Sequence, residues 1–574
     1  MGKFVLGLIV GALLVVLISV IAVFAVASFR TRPPSVDDGT TLILRLNGDV
    51  PEKAPTDVNF TLSPPFIAEG QTLTVEEIWS LLRRAASDSR IKAVIFEPQD
   101  AGVGWAKMQE IHADLEQFRK SGKPLIAYLK SPGTREYYMA TACSKIYLSP
   151  TDELDVKGLA FELMYFKSTL DKLGVQVDVI HDGKYKDFGD MFTRTSMSPE
   201  TTEVMNSMID NIYGDLVTTI AKGRHKDNAA VRATIDSGPF TAKEARAAGL
   251  VDELRYEDEA QGSVRDALHQ TALKKMDAHD YAAVSDASAG LGAGKEKIAF
   301  VVADGDISRG NPESTGATGI ESEAFDRLLN QVANDSTVKG VVVRINSGGG
   351  DAVASDEIWR AMNELKKKKP LVISMSDAAA SGGYYMAMTG DPVIAYPGTE
   401  TGSIGVVWGQ PNLRGLYDKV GVTKDFVSRG KFALGESDYQ PLTDEARRKV
   451  AGMVDSNYRD FTSKVAASRK KPLATILELA QGRVWLGDQA KGNGLVDDLG
   501  GLDRAMELIR KEAGITPGDA INLVTYPPRR SVLDLLLKQS QDSSDVEALL
   551  SAAGLRVWLH GGMLRMMPMR LAFH

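Results

Sequence analysis

Cysteine is almost missing from this chain: Cys143 is the only one in 574 residues. No intramolecular disulfide and no thiolate metal cluster can form. Cys143 lies in the apolar segment MATACSKIYL and reads as a small buried residue, not a nucleophile. Histidine is scarce as well. The seven residues His112, His181, His225, His269, His279, His560 and His574 form no HExxH motif and no close pair. Neither a metal nor another cofactor is therefore expected. Excess positive charge is lacking, with 67 Lys and Arg against 75 Asp and Glu and a net charge of -8, which gives no reason to expect nucleic-acid binding. A phosphate loop is lacking too. GLGAGKE at 290–296 has Ala289 where the first glycine should stand and Glu296 where Ser or Thr should follow the lysine.

What is present begins at the N-terminus. Phe4 to Phe29 contains no charged residue. As a helix rising about 1.5 Å per residue it would be about 39 Å long, enough to cross a bilayer core of about 30 Å. Ala25-Val26-Ala27 resembles a signal-peptide cleavage site, but the run exceeds the usual h-region of about 7–15 residues. We read residues 1–30 as an uncleaved transmembrane anchor. Lys3 flanks one end, and Arg30 and Arg32 the other, so flanking charge does not set the orientation. No second span follows.

The remainder repeats itself. SDSRIKAVIFEP (87–98) matches NDSTVKGVVVRI (334–345), and KPLIAYLK (123–130) matches KPLVISMS (369–376). EYYMAT (136–141) matches GYYMAM (383–388), and AAGLVDEL (247–254) matches GNGLVDDL (492–499). The offset stays between 245 and 247, which points to an internal duplication. In each copy short apolar runs alternate with helical patterns, as parallel strands with crossovers do. The expectation is two α/β domains, 40–285 and 296–525, joined by the Gly/Ala-rich stretch 286–296, with a C-terminal tail over 526–574. The tail reads as a short amphipathic docking helix (SVLDLLLKQ) and a loose Met/Arg-rich end, or as a membrane-surface or assembly contact.

Two loops of the second copy carry chemistry. Asn346-Ser347-Gly348-Gly349-Gly350 follows the strand KGVVVRI. Ala380-Ser381-Gly382-Gly383 follows the strand PLVISMS and opens a helix. A strand-to-helix turn offers N–H groups that have no partner inside the helix and favour developing negative charge. Ser381 is placed there as a nucleophile, with Gly382 and Gly349 as oxyanion donors, each typically worth about 3–4 kcal/mol in the transition state. At the matching places the first copy has Thr134-Arg135-Glu136 and Gln99-Asp100-Ala101-Gly102-Val103. A folding requirement would act on both copies, so the glycine loops of the second copy point to function.

On these residues the chain resembles the signal peptide peptidase A family (protease IV) in its long, duplicated form, from the anchor to about residue 525. The resemblance implies a Clp-protease/crotonase-like fold in each copy and a Ser/Lys dyad. The family's nucleophile motif is carried by AAASGGYY, which places the nucleophile at Ser381. Its Asn-Ser-Pro-Gly-Gly loop is carried by NSGGG, with Gly348 in place of proline. Its Gly-x-Tyr-Lys motif is carried by Gly183-Lys184-Tyr185-Lys186, which places the general base at Lys186. Its Thr-Gly-Ser-Ile-Gly motif spans Thr401 to Gly405 and makes Ser403 the residue that positions the lysine. The repeat agrees: GKYK (183–186) aligns with GKFA (430–433), so Lys186 faces Ala433 while Lys184 matches Lys431. The first copy has lysine without serine, and the second serine without lysine. A free lysine titrates near about 10.4, so the role requires a site whose burial disfavours the charged amine. His181, the one histidine near that loop, is the rival base.

The resemblance further implies peptide substrates, namely released signal peptides, a single-pass inner-membrane protein with its catalytic part in the periplasm, and a homotetramer. Two other readings are a crotonase-type acyl-CoA enzyme, which would not need the Ser381/Lys186 pair, and an inactive membrane scaffold.

Overall fold

The computed structural model describes residues 34–54, 72–310 and 319–527, and the backbone of 562–566. The apolar run Phe4–Phe29 lies outside the described residues. Among the described residues no helix is long and apolar enough to cross a membrane.

The first half carries β1 (Thr40–Asp49), β2 (Ile91–Gly102), β3 (Leu125–Leu129), β4 (Lys145–Leu148), β5 (Glu153–Leu154), β6 (Gln176–Asp182), β7 (Phe240–Thr241), β8 (Glu253–Leu254) and β9 (Lys275–Asp277). The second carries β10 (Glu296–Asp304), β11 (Ile307–Ser308), β12 (Ile320–Glu321), β13 (Val338–Ser347), β14 (Gly349–Asp351), β15 (Leu371–Ala380), β16 (Val393–Ala395), β17 (Glu400–Gly402), β18 (Val406–Asn412), β19 (Val484–Leu486), β20 (Asp498–Leu499) and β21 (Ile521–Tyr526). A last strand, β22 (Gly562–Met566), comes from the tail.

The first main sheet is parallel with order β8-β4-β3-β2-β1-β9. The second repeats it as β20-β16-β15-β13-β10-β21, also parallel. Their strands are almost wholly buried, which is why they read as continuous apolar runs. The duplication extends to single hydrogen bonds. Tyr137 Oη donates to Leu250 O and Tyr384 Oη to Leu495 O, both at 2.8 Å. Arg224 pairs with Asp252, and Arg469 with Asp497 at the equivalent place. Helices Pro199–Arg224 and Asp444–Arg469 have the same length, and each ends on a left-handed residue, His225 or Lys470.

Local sequence explains the helices. In Val75–Ser87 the cap Thr74 exchanges hydrogen bonds with Glu77, and Val75, Ile78, Leu82 and Ala85 form one buried stripe. Helix Trp105–Arg119 behaves differently: it buries Lys107, Gln109, Glu110, His112 and Asp114 as well as its apolar residues. Buried polar groups need partners, and several here come from the other half. Asp377 accepts from the N–H groups of Gly104 and Lys107 at 3.2 and 2.9 Å. Gln109 accepts from the Gly398 N–H at 2.8 Å, and Glu110 from the Leu502 N–H at 2.8 Å.

At the centre of this joint is Arg344, on β13 and 0% exposed. Its guanidinium donates to Glu52 at 3.0 and 3.2 Å, to Glu110 at 2.5 Å, to Ser374 at 3.0 Å and to Ser376 at 3.2 Å. Burial raises the Glu52 carboxyl, but Arg344 and Lys107 more than reverse this and hold it below the usual range. For Glu110 burial outweighs Arg344, and its carboxyl is raised. Asp114, one helical turn on, is pushed well above the usual range by burial and then by Glu110 and Asp503.

Cys143 is buried, and burial pushes its thiol far above the ordinary range, in keeping with a packing role. The tail departs from the expectation of a loose end. Residues 562–566 form a strand, and a further sheet of order β12-β11-β14-β22-β18-β6 results.

Two outcomes are expected. Replacing Arg344 by Leu strands two buried carboxylates and lowers stability by about 3–5 kcal/mol, read from urea denaturation. Asp114 has a raised native pKa, so its contribution to stability is full below its unfolded pKa of about 3.9 and is lost as pH rises through the native value. Asp114→Asn therefore flattens the decline of the calorimetric midpoint between pH 4 and pH 8.

Candidate active site

Ser381 sits between β15 and the helix Gly382–Met386, with φ 54° and ψ -113°. A non-glycine residue held at positive φ costs about 1–3 kcal/mol and persists only where its surroundings over-determine it. The Ser381 N–H donates to Gly402 O at 2.8 Å, which ties the turn to β17. Gly383 lets the turn close, because a Cβ there would lie 2.6 Å from Ser347 O.

Lys186 arrives from the other half, just after β6 in the Gly183–Lys186 turn. Its side chain is fully buried, as are Ser381 and Ser403. Its Nζ lies 2.8 Å from Ser381 Oγ, 2.9 Å from Ser403 Oγ and 3.1 Å from Ser403 O. The next residue, Asp187, has its carboxyl raised by burial despite a hydrogen bond from Thr201, which limits how strongly it favours a charged neighbour. Lys184, by contrast, is exposed with its amine over the Tyr185 ring, 4.4 Å from the centroid. His181 is exposed on β6, and its Nδ1–H donates to Gly183 O at 3.1 Å. The Lys186 amine lies within hydrogen-bond reach of the Ser381 hydroxyl and of both Ser403 oxygens, whereas the His181 ring turns to Gly183 O.

The oxyanion candidates flank this cluster. Gly382 is the first residue of its helix, where an N–H has no intrahelical acceptor. Gly349, with φ 107°, opens β14; its N–H donates to Ser347 Oγ at 3.1 Å. Gly348, at the proline position, is followed by a loop held in other ways. Gly350 pairs with Ile307 so closely that a Cβ would lie 2.0 Å from Ile307 O. Asp351 accepts from the Val353 and Ala354 N–H groups and from Arg309, all at 2.8 Å.

The first half shows what the unused copy became. Glu136 occupies the position of Gly383, and its carboxylate accepts from the Ala101 N–H at 2.7 Å and the Gly133 N–H at 3.0 Å. It bridges the two loops that, in the second copy, pack directly on one another where Gly383 meets Ser347 O.

One segment escaped the sequence reading. Gln481–Arg483 of the second half clamps the lysine turn. Gln481 O accepts from the Tyr185 N–H at 2.8 Å, Arg483 O from the Ser403 N–H at 2.7 Å, and Ile404 O from the Gly482 N–H at 2.8 Å. Gly482 packs on the lysine itself, for a Cβ there would lie 2.6 Å from Lys186 Cβ. Arg483 stacks over Tyr185 and pairs with Glu203, which also accepts from Tyr185 Oη. The signal was available: at the repeat offset of 245 Gly482 faces Ser237, another glycine present in one copy only.

Comparison with known proteins agrees with the duplication. The sequence pattern of Peptidase family S49 matches this chain twice, over residues 117–271 and 363–516. The chain is 34% identical to "Serine protease SPPA, chloroplastic" of Arabidopsis thaliana, covering 87% of this chain and 73% of that protein. It is 30% identical to "Protease 4" of Salmonella typhi, covering 83% and 77%. It is also 30% identical to "Protease 4" of Haemophilus influenzae, covering 74% and 71%.

Gly482→Ala is expected to push Lys186 out of register while the fold persists. A shift of about 1 Å can cost about 100-fold in rate. The second-order rate of Ser381 acylation by a fluorophosphonate should fall by that order, with an unchanged far-ultraviolet circular dichroism spectrum.

Proposed function

The chain belongs to Peptidase family S49, and from that membership and the geometry of its buried cluster we propose that it is a serine endopeptidase working through Ser381 and Lys186. The observation that carries the reading is the 2.8 Å approach of the Lys186 amine to the Ser381 hydroxyl across the joint between the halves. A neutral amine has two N–H donors and one lone pair. Ser403 offers two acceptors, its carbonyl and its hydroxyl, so both donors are used there and the lone pair faces Ser381. Burial without solvent favours that neutral form. Ser381 Oγ attacks the substrate carbonyl as its proton passes to Lys186, and the oxyanion develops toward the N–H groups of Gly382 and Gly349. Gly349 swings from Ser347 to the oxyanion at this step. The protonated lysine returns the proton to the leaving amine, then takes one from the water that opens the acyl-enzyme.

Substrates are extended peptides, held along a strand edge beside the Asn346–Gly350 loop. Signal peptides are the proposed source, because the run Phe4–Phe29 would anchor the enzyme at the inner membrane, with the catalytic halves on the periplasmic side. Met164, Leu173, Val420, Val422, Val427 and Phe432 are exposed apolar residues of the region around β6 and β18, and they supply the contacts of a proposed homotetramer.

The test is direct. Ser381→Ala and Lys186→Met should each lower kcat for an apolar peptide by at least about 1000-fold, with fluorophosphonate labelling lost in the first and slowed in the second. Peptide hydrolysis that persists in folded Lys186→Met protein would overturn the base assignment. Ser403→Ala should reduce kcat about 10- to 100-fold, since one acceptor that orients the amine is gone, and lower the pH at which kcat reaches half its plateau, since that acceptor favours the charged amine over the neutral one.

A further inference from the structure

We propose that Asp377 is a positioning residue for Ser381: from an insertion in β15 it ties the strand that leads to the nucleophile onto the half that carries the lysine. This rests on reading Ser381 and Lys186 as the reacting pair. The repeat shows the insertion. KPLIAYLK starts at 123 and KPLVISMS at 369, an offset of 246. EYYMAT starts at 136 and GYYMAM at 383, an offset of 247. Between these matches the first copy has five residues, 131–135, and the second has six, 377–382. The extra residue belongs to the copy with the serine, on the approach to it.

In the fold the insertion becomes a bulge. β13 and β15 pair in step from Val341–Leu371 to Ile345–Met375, and the next pair is Ser347–Ala379. Asn346 therefore stands against three residues, Ser376, Asp377 and Ala378. In the first copy β2 and β3 pair without a break from Val94–Leu125 to Phe96–Ala127. A bulge re-aims the side chains beside it. Here Ser376 donates to Glu52 of the first half, and the Ala378 N–H donates to Asn346 Oδ1 at 3.3 Å. Between them Asp377 reaches across the joint. Its Oδ1 accepts from the Lys107 N–H at 2.9 Å and its Oδ2 from the Gly104 N–H at 3.2 Å. The buried Lys107 Nζ lies 3.8 Å from Oδ2 and matches its charge.

These bonds make Asp377 a helix cap from another part of the chain. Helix Trp105–Arg119 follows Gly104, which has no side chain to accept from Lys107, the third helical residue. Asp377 supplies that acceptor, and a carboxylate suits a helix N-terminus. Gly104 lets it in, because a Cβ there would lie 2.3 Å from the Asp377 carboxyl carbon. An aspartate at position 104 would cap the helix equally well. Placed on β15, the same carboxylate also holds the nucleophile's strand. Past the bulge, Ala378–Ala380 pair with Glu400–Gly402, and the Ser381 N–H closes on Gly402 O. Ser381 lies four residues beyond Asp377, a span of about 13 Å in a strand. Gly104 and Lys186 belong to the same half, so the tie fixes this strand end against the body that presents the amine.

Moving the carboxylate separates capping from positioning. Asp377→Ala in the full chain removes both. Gly104→Asp in that background gives the helix a cap from its own chain and leaves β15 untied. The urea midpoint should fall in the single variant and return in the double. The rate of Ser381 acylation by a fluorophosphonate should fall about 100-fold in the single variant and stay about 100-fold low in the double. For an apolar peptide kcat should fall to match, with KM within about twofold of the parent. Amides of 378–382 should exchange about tenfold faster in the double variant than in the parent. Asp377→Asn keeps an acceptor for the Lys107 N–H and should hold acylation within about fivefold. Acylation that returns together with the urea midpoint overturns the proposal, because Asp377 is then a helix cap alone. Unchanged exchange over 378–382 overturns it too, as does a loss in Asp377→Asn as deep as in Asp377→Ala. If the parent is neither labelled nor active on peptides, the Ser381 reading falls, and the exchange result still decides whether Asp377 holds that strand.

Discussion

Everything in the site depends on the two halves being locked at one angle, and the lock is Arg344. Its guanidinium is the largest fully buried side chain of the described residues and meets carboxylates from the other half at both ends. An isolated buried charge would be intolerable. This one is acceptable because five oxygens and the joint itself surround it. Such a network is indifferent stabilisation compared with an apolar core, but it is intolerant of displacement, since any slip leaves a charge unpaired. That intolerance suits a protein whose proposed nucleophile and base come from different halves. Sliding the halves by 1 Å would scarcely trouble an apolar interface, yet it would break the 2.8 Å contact between Lys186 and Ser381.

The same duplication explains how the two copies come to differ at the corresponding turns. Both copies keep the sheet, the paired tyrosines and the arginine–aspartate pairs, because these hold the fold. They diverge where a loop must approach a substrate. In the first copy Glu136 ties down the N–H groups of Ala101 and Gly133, which converts an open turn into a filled one. In the second, Gly383 lets the turn pack directly against Ser347 O, and Ser381 bears the strain of a positive φ. Losing the first site freed its lysine-bearing turn to serve the second.

The fold was legible because parallel strands buried on both faces write apolar runs and because the offset of the repeat is nearly constant. Ser381 and its glycines were legible by difference between the copies, and Lys186 by the reciprocal difference at Ala433. The buried polar face of Trp105–Arg119 was not, since Lys107, Glu110 and Asp114 look like an ordinary solvated face until the other half is placed against them. The clamp at Gln481–Arg483 escaped for a similar reason: it acts through backbone carbonyls, which any side chain can present. Strand β22 was missed because a short Met-rich stretch has no strand signature of its own. What makes it a strand is the pair of open edges it meets.

Those edges set the last constraint. A peptidase that binds its substrate as a strand must keep two strand edges available, and available edges invite pairing with anything extended. Most sheets blunt their edges with charge, proline or a covering loop. Here β14 cannot carry such protection, because Gly349 and Gly350 must let backbone approach closely and a side chain at Gly350 would strike Ile307 O. β18 has one edge closed by β6 over seven residue pairs, from Val406–Asp182 to Asn412–Gln176, so its remaining edge is the one that β22 meets. The site is thus shaped by a conflict between the glycine-bare geometry that acyl transfer needs and the edge protection that solubility needs. β22, a strand of the protein's own chain, pairs with both edges and so resolves that conflict without altering a single residue of the loops.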